Sequence, residues 1–177
     1  PFSCVVNGQG AVRLAPGDSV VIFGAGPIGL MHLLLARNTG ASQVILVDPD
    51  ERRLAKGQEL GASAVVSASG DGARSAVMEL TGGRGVDVAI TACASREAPE
   101  LAQDLLAPFG RLCPFGGVPS DDSYIRLNVN KVHYRNLVVT GTTGGPPVDY
   151  RRAMRLIAGG AVDLKPLVSH VFPRSLF

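Results

Sequence analysis

The chain contains a short β-branched run that leads directly into a glycine-rich loop and then into an apolar helix-like pattern. Residues 20–29 read Val-Val-Ile-Phe-Gly-Ala-Gly-Pro-Ile-Gly, so the loop has the form G-x-G-x-x-G. The next apolar run, Val44 to Val47, ends at Asp48. A strand that turns into a helix through three glycines, followed by a strand that ends in an acid, is typical of dinucleotide sites. This feature favours an α/β fold.

The remainder of the chain alternates between strand-like and helix-like patterns, which predicts parallel strands joined by right-handed helical crossovers. Large apolar residues recur at helical spacing between the strands, as in Leu101 with Leu105 and in Tyr150 with Met154 and Ile157. The predicted fold is therefore α/β: a three-layer, doubly wound Rossmann fold with a six-stranded, mostly parallel sheet, formed by residues 1–177 as one domain. Strands are predicted at Ser19–Phe23, Gln43–Val47, Ala64–Ser67, Val86–Thr91, Arg111–Phe115 and Leu137–Thr142.

The composition limits the binding partners and the cellular compartment that can be expected for this chain. The net charge of +2 is small and the basic residues are scattered, which argues against a nucleic-acid partner. Cys4, Cys93 and Cys113 are an odd number of distant cysteines, so we expect free thiols and a cytoplasmic location. The longest apolar stretch, around residues 28–36, is interrupted by His32 and is too short to span a bilayer, so no membrane partner is expected.

Each residue type in the glycine-rich loop suits a pyrophosphate. Gly24 can turn the backbone at the strand end, Gly26 lets the main chain approach the phosphates, and Gly29 lets the helix pack closely on the sheet. The helix start presents unpaired N–H groups and its positive dipole end. Pro27 has no N–H and suits the first helical turn, so Ile28 and Gly29 are the main donors. The alternative is a tight strand–helix turn without a ligand.

Asp48 indicates which dinucleotide is preferred. A carboxylate at this position can accept hydrogen bonds from both adenosine ribose hydroxyls, whereas a 2′-phosphate at ~4 Å would cost roughly 4 kcal/mol at an effective dielectric near 20. NAD is therefore expected in preference to NADP. Asp48 could instead cap the following helix, although Asp50 suits that role better. Arg52 or Arg53 could meet a 2′-phosphate, or both could be solvated residues of the first helical turn.

Groups that would catalyse hydride transfer are not evident in this sequence. His32, His133 and His170 lie far from one another and from the cysteines, and no Cys-x-x-Cys, His-Glu-x-x-His or Tyr-x-x-x-Lys pattern occurs. We therefore assign no catalytic and no metal-binding residue to this chain. The sequence predicts a cofactor site that lacks its own catalytic groups.

Several motifs together resemble the cofactor half of medium-chain zinc-dependent alcohol and polyol dehydrogenases, in particular the sorbitol and threonine dehydrogenase branch. The resemblance covers almost the whole chain. The motifs are Val20–Leu30, Ala41-Ser42-Gln43-Val44, Leu60-Gly61-Ala62, Gly110-Arg111-Leu112 and Leu164–Pro173.

The resemblance implies a role for each loop at the carboxyl edge of the sheet. Asp48 would hold the adenosine ribose with Arg53 beside it. Cys93 would lie on the adenosine side, although this sequence has Ala92-Cys93-Ala94 where the family has Cys-Thr-Gly. The pyrophosphate would bind at Gly24, Gly26, Pro27, Ile28 and Gly29, and the nicotinamide end at Gly117, Val118, Gly141 and Thr142.

The resemblance also implies a larger enzyme. Family members carry an N-terminal GroES-like barrel with the catalytic zinc, so we expect this chain to be an excised cofactor domain, with residues 168–172 as a strand returning to that barrel. The implied reaction passes a hydride between a secondary alcohol, a polyol or sugar derivative, and NAD. The chain alone is expected to bind NAD weakly and to turn nothing over. Tyr124–Asn128 is expected to be an edge strand through which a homo-dimer or tetramer forms.

Two other functions fit parts of the sequence. A zinc-free quinone or enoyl reductase of the same superfamily would favour NADPH and would usually lack the acid at Asp48. A non-catalytic NAD-sensing module would explain the lack of catalytic groups, but the Leu164–Pro173 motif argues against it.

Overall fold

The structure, a computed structural model, describes residues 1–173 as strands that alternate with helices. The strands are β1 (Ser19–Phe23), β2 (Gln43–Val47), β3 (Ala64–Val66), β4 (Val86–Thr91), β5 (Leu106–Pro114) and β6 (Val138–Val139). The helices are α1 (Phe2–Ala11), α2 (Pro27–Thr39), α3 (Glu51–Glu59), α4 (Gly70–Leu80), α5 (Glu97–Leu105), α6 (Val129–Tyr134) and α7 (Pro147–Ala158), with short 3₁₀ turns at Ser120–Asp122 and Lys165–Leu167.

All six strands pair in parallel in the order β3-β2-β1-β4-β5-β6, which confirms the predicted fold class. The chain reverses its direction of winding between β1 and β4, so a crevice opens there at the carboxyl edge of the sheet. Three strands match their predicted bounds because they are largely buried, β-branched runs, each of which begins directly after a turn residue or an acid. The bounds of β3, β5 and β6 differ by one to several residues from those predicted.

Two layers of helices enclose the sheet. Leu30 and Leu33 of α2 and Leu54 of α3 pack on one face, whereas α4 and α5 cover the other face through residues such as Val77 and Leu105. Helices α1 and α7 form an outer group against α2. None of the helices formed by residues 1–173 combines the length and apolar character that a membrane-spanning helix requires.

Two predicted strands are wrong. Residues 124–128 form no strand: they run in irregular conformation from the 3₁₀ turn to α6, held by Gln103, whose amide donates to the Arg126 carbonyl and accepts from Asn128 N–H at 2.7 and 2.8 Å. Residues 168–172 also form no strand. In both segments the sequence pattern is strand-like, but no strand within residues 1–173 pairs with them, and an unpaired strand is unstable in water.

The helical spacing of the large apolar residues in α7 predicts a helix, which forms, but these residues do not mark its buried face. Tyr150, Met154 and Ile157 are exposed, with Tyr150 60% accessible, whereas Asp149 and Ala153 face inward. Ala153 allows α7 to approach α1 closely, because a small side chain leaves room for the neighbouring helix backbone. The buried Asp149 carboxylate pairs with Arg152 at 2.8 Å.

His32 is a residue of α2 whose side chain is buried in the interior of the fold, on the side of α2 that faces α1. Gln9 donates its side-chain amide to the His32 carbonyl at 2.7 Å, and the edge of the Phe115 ring meets the imidazole at 4.5 Å between centroids. Burial lowers the pKa of His32 to about 3, so the imidazole is neutral at physiological pH. This histidine is a core residue.

Candidate functional site

The glycine-rich loop connects β1 to α2 at the centre of the sheet's carboxyl edge. Gly24 has φ +99°, a conformation that L side chains rarely adopt. A Cβ on Gly29 would lie 1.8 Å from the Gly24 carbonyl oxygen, so α2 can pack this closely only because residue 29 is a glycine. A Cβ on Gly26 would meet no protein atom within 4 Å. The Gly26 backbone therefore faces open space, as the main chain must if a phosphate is to approach it.

The first turn of α2 points unpaired donors into that space. The first helical hydrogen bond runs from Leu30 N–H to the Gly26 carbonyl at 2.9 Å, so Ile28 and Gly29 N–H have no partner within the helix. Pro27 occupies the first helical position and has no N–H. The structure thus fits an anion at the position that the sequence predicted.

Asp48 faces the glycine-rich loop from the end of β2. The register pairs Phe23 with Val47, which places the two strand ends side by side. Asp48 accepts hydrogen bonds from Ala25 N–H at 2.7 Å through Oδ2 and from Asp50 N–H at 2.8 Å through Oδ1, and only 5% of the residue is exposed. Since a carboxylate has about four acceptor sites, it can still accept from a ligand.

The alternative in which Asp48 caps α3 is excluded by the structure. Asp50 is the N-cap, because its Oδ1 accepts from Arg52 N–H at 2.9 Å and from Arg53 N–H at 3.3 Å. The Arg53 guanidinium lies 3.9 Å from Asp48 Oδ2 and 3.6 Å from Asp50 Oδ2. A cation is therefore already present beside the buried acid.

A cleft of about 320 Å³, which we name the Asp48 cleft, opens beside these groups on the α4 and α5 side of the sheet. Its walls are mostly apolar, and its polar groups converge near Asp48, Arg53 and Ser69, which suits a flat heteroaromatic base attached to a polar sugar. The cleft is lined by Phe23, Gly24, Val47, Asp48, Pro49, Arg53, Ala68, Ser69, Gly70, Ala73, Cys93, Ser95, Glu97, Ala98 and Leu101.

Cys93 lines the Asp48 cleft and is half-buried. Burial raises the pKa of its thiol, partly opposed by a hydrogen bond from the Ser95 backbone, so the neutral thiol is the relevant form at neutral pH. Cys113 lies inside β5, and burial raises its pKa to about 11. Neither thiol is activated as a nucleophile.

The residues predicted for the nicotinamide end follow β5 and β6 at the same edge of the sheet. The loop after β5 is anchored by Phe115 and Gly116 N–H, which both donate to the Thr91 carbonyl at 3.1 and 2.7 Å. Gly117 beyond it is exposed and Val118 is half-buried. Gly141 and Thr142 follow β6, where Gly141 is exposed. All the predicted binding residues therefore share one edge, although their contacts with a ligand remain predictions.

Sequence reasoning missed the part of the cleft wall that comes from the β3–α4 connection and from α5. Ala68, Ser69, Gly70 and Ala73 come from the β3–α4 connection, and Ala98 and Leu101 come from α5. The β3–α4 connection could have been predicted to line the site, because the loops after neighbouring parallel strands meet at the carboxyl edge of the sheet. Among residues 1–173, no three or more His, Cys, Asp or Glu side chains lie together as a metal site.

Comparison with known proteins gives concordant matches. A family model described as zinc-binding dehydrogenase matches residues 27–159. The chain is 34% identical over 163 residues to the L-threonine 3-dehydrogenase of Bacillus subtilis (strain 168), a match that covers 91% of this chain and 46% of that protein. It is 28% identical over 173 residues to the sorbitol dehydrogenase of Halalkalibacterium halodurans, covering 97% of this chain and 50% of that protein.

A solved structure from Sinorhizobium meliloti 1021, described as a zinc-binding dehydrogenase bound to NADP, superposes with a TM-score of 0.84. It is 28% identical and the match covers 96% of this chain and 49% of that chain. The chain therefore spans about half the length of the curated relatives and solved structures that it matches.

Proposed function

Because this chain belongs to the zinc-binding dehydrogenase family, we propose that it is the domain that binds the nicotinamide dinucleotide in an NAD-dependent alcohol or polyol dehydrogenase. The observation that carries the proposal is the position of Asp48 against the glycine-rich loop, with its Oδ2 2.7 Å from Ala25 N. One buried acid, one open helix start and one apolar cleft meet at the point where the sheet reverses its winding.

The chain's own residues would bind and orient the cofactor. The Asp48 cleft takes the adenine, and Asp48 accepts from the ribose hydroxyls. The N–H groups of Ile28 and Gly29 hold the pyrophosphate. The loops at Gly117–Val118 and Gly141–Thr142 then receive the nicotinamide end. When bound, the nicotinamide supplies the hydride acceptor. NAD is the preferred form because Asp48 is an acceptor for a free 2′-hydroxyl.

We further propose that the parent protein oxidises a secondary alcohol. Carbon 3 of threonine and the inner carbons of sorbitol both carry secondary hydroxyl groups, and relatives named for these substrates match nearly the whole chain. Zinc and the groups that select the substrate would belong to the other half of such a protein. The free thiols at Cys4, Cys93 and Cys113 support a reducing, cytoplasmic setting.

Titration of this chain with NADH, followed by nicotinamide fluorescence, tests the proposal. We expect a dissociation constant of about 0.1 to 1 mM, because only one side of the cofactor would be covered. We also expect no oxidation of sorbitol or threonine by the chain alone. In the full-length parent protein, the same assay should reduce NAD.

The Asp48→Asn variant is the control for this titration. It keeps the size of the side chain but removes the charge, so it should weaken NADH binding by about tenfold through poorer hydrogen bonds to the ribose. Saturable binding that is identical in both proteins would contradict the role of Asp48. Polyol oxidation by the chain alone would contradict the expected absence of catalytic groups.

We also propose that the parent protein is a homo-oligomer that associates through the β6 edge of the sheet. Val138 and Val139 of β6, which ends the strand order, are exposed, and Tyr124 and Leu127 also have exposed side chains. An open strand edge that carries exposed apolar side chains suits pairing with a second copy. Sedimentation equilibrium at high concentration should give at least a dimer mass, and Val138→Lys should reduce it. A monomer mass for the unaltered chain would contradict the proposal.

A further inference from the structure

One turn of helix α1 supports both of the loops that are predicted to receive the nicotinamide end of the cofactor. The turn consists of three consecutive residues, Asn7, Gly8 and Gln9, and we name it the α1 turn. The two loops follow β5 and β6, so they leave the sheet from different strands. Beyond the strand ends, their separation therefore depends on what packs behind them.

The loop after β5 is supported by the ring of Phe115, two residues before Gly117. A Cβ on Gly8 would lie 2.8 Å from Cδ2 and Cε2 of this ring, so the ring lies directly against the α1 backbone. The ring is also perpendicular to the His32 imidazole, with the two centroids 4.5 Å apart. The Gln9 amide nitrogen lies 2.7 Å from the His32 carbonyl oxygen and 3.3 Å from Nδ1. The position of Phe115 is thus fixed by α1 and by a histidine that α1 itself holds.

The loop after β6 is attached to the same turn. Asn7 donates its side-chain amide at 3.1 Å to the carbonyl of Gly144, which lies two residues beyond Thr142. The next residue, Gly145, approaches α1 so closely that a Cβ there would lie 3.0 Å from the Ser3 carbonyl oxygen. This loop therefore rests on α1 through one hydrogen bond and through close backbone packing.

We propose that the α1 turn positions the nicotinamide ring by holding the two loops at a fixed separation. Asn7 acts through Gly144, and the other two residues of the turn act through Phe115. All three act through the loops, so they are positioning residues. Orientation of the ring matters because a displacement of about 1 Å can slow an enzymatic reaction by about 100-fold. The inference rests on the proposed function, because it requires the nicotinamide to lie between these loops.

Titration of the chain with NADH and with ADP-ribose tests the inference, because ADP-ribose has the adenosine, the pyrophosphate and the second ribose but no nicotinamide. NADH should bind the unaltered chain about tenfold more tightly than ADP-ribose. Gly8→Ala places a methyl group against the Phe115 ring, so it should weaken NADH by about fivefold and change ADP-ribose by less than about twofold. Asn7→Ala removes the donor to Gly144 and should lower the ratio of the two affinities by about threefold.

The affinity ratio separates a positioning role from a merely structural one, since a loss of stability would weaken both ligands together. Gly10→Ala is the matched control for Gly8→Ala, because it makes the same change in the same helix but its Cβ would meet nothing within 4 Å. Asn38→Ala, at an exposed position of α2, is the matched control for Asn7→Ala. Both controls should leave the ratio unchanged. If Gly8→Ala does not fold, Asn7→Ala decides the question, since the Asn7 side chain bonds at the surface.

An unchanged ratio in either α1-turn variant that folds, or an equal change in its control, would overturn the inference and leave the proposed function standing. Equal affinity of the unaltered chain for NADH and ADP-ribose would also overturn it, because the ring would then gain nothing from its position. Failure of both ligands to bind would refute the proposed function itself.

Discussion

Replacement of Gly29 by alanine is expected to lower the free energy of unfolding by about 3 kcal/mol, because one methyl group is forced into an occupied position. The added Cβ would lie 1.8 Å from the Gly24 carbonyl oxygen and 2.9 Å from its carbon. Both are backbone atoms of the loop that closes β1, so no side chain can rotate away. Helix α2 would have to move off the sheet and lose packing of Leu33, which is fully buried.

Urea unfolding followed by circular dichroism measures this effect. Gly10→Ala is the matched control, because Gly10 lies in α1 and a Cβ there would meet nothing within 4 Å. That variant should be neutral or stabilised by up to about 1 kcal/mol, since alanine favours a helix over glycine. Equal stability of the two variants would show that α2 is not held against the loop as described.

Replacement of Gly26 by valine is expected to have the opposite profile: almost no change in stability and a loss of NADH affinity of about 100-fold or more. Gly26 has φ −72°, which any residue can adopt, and its Cβ position is free of protein atoms. The side chain would instead fill the space in front of the unpaired N–H groups of Ile28 and Gly29. That space is where we place the pyrophosphate.

The fluorescence titration with NADH, combined with urea unfolding, separates binding from stability. The free energy of unfolding should stay within about 0.5 kcal/mol of the unaltered chain. Gly26→Ala should give an intermediate loss of affinity because its side chain is smaller, and Gly10→Ala should bind NADH normally. If Gly26→Val bound NADH with unchanged affinity, the pyrophosphate could not lie at this helix start.

The local sequence pattern was sufficient to predict the strands at the centre of the sheet, but it was insufficient to predict the strands at its edges. The runs at β1, β2 and β4 are short and mostly apolar, and each begins after a turn residue or an acid, so burial on both faces can be predicted from residue type. Tyr124–Asn128 alternates in the same way but forms no strand in this chain, because whether a segment pairs depends on a neighbour that the pattern does not describe. The spacing of Tyr150, Met154 and Ile157 predicts the helix that forms there, but it does not specify which face is buried, and the structure buries Ala153 instead.

The candidate site, like the sheet, could be predicted from the sequence only in part. The amino-acid pattern alone predicts that a glycine-rich helix start and one acid stand at the ends of successive strands, since both belong to contiguous motifs. Tertiary packing, by contrast, is what shows that Asp48 binds the loop rather than capping α3, and that α4 and α5 complete the Asp48 cleft. These arrangements join residues far apart in the chain, and their distances depend on strand register and helix packing, which residue periodicity does not specify.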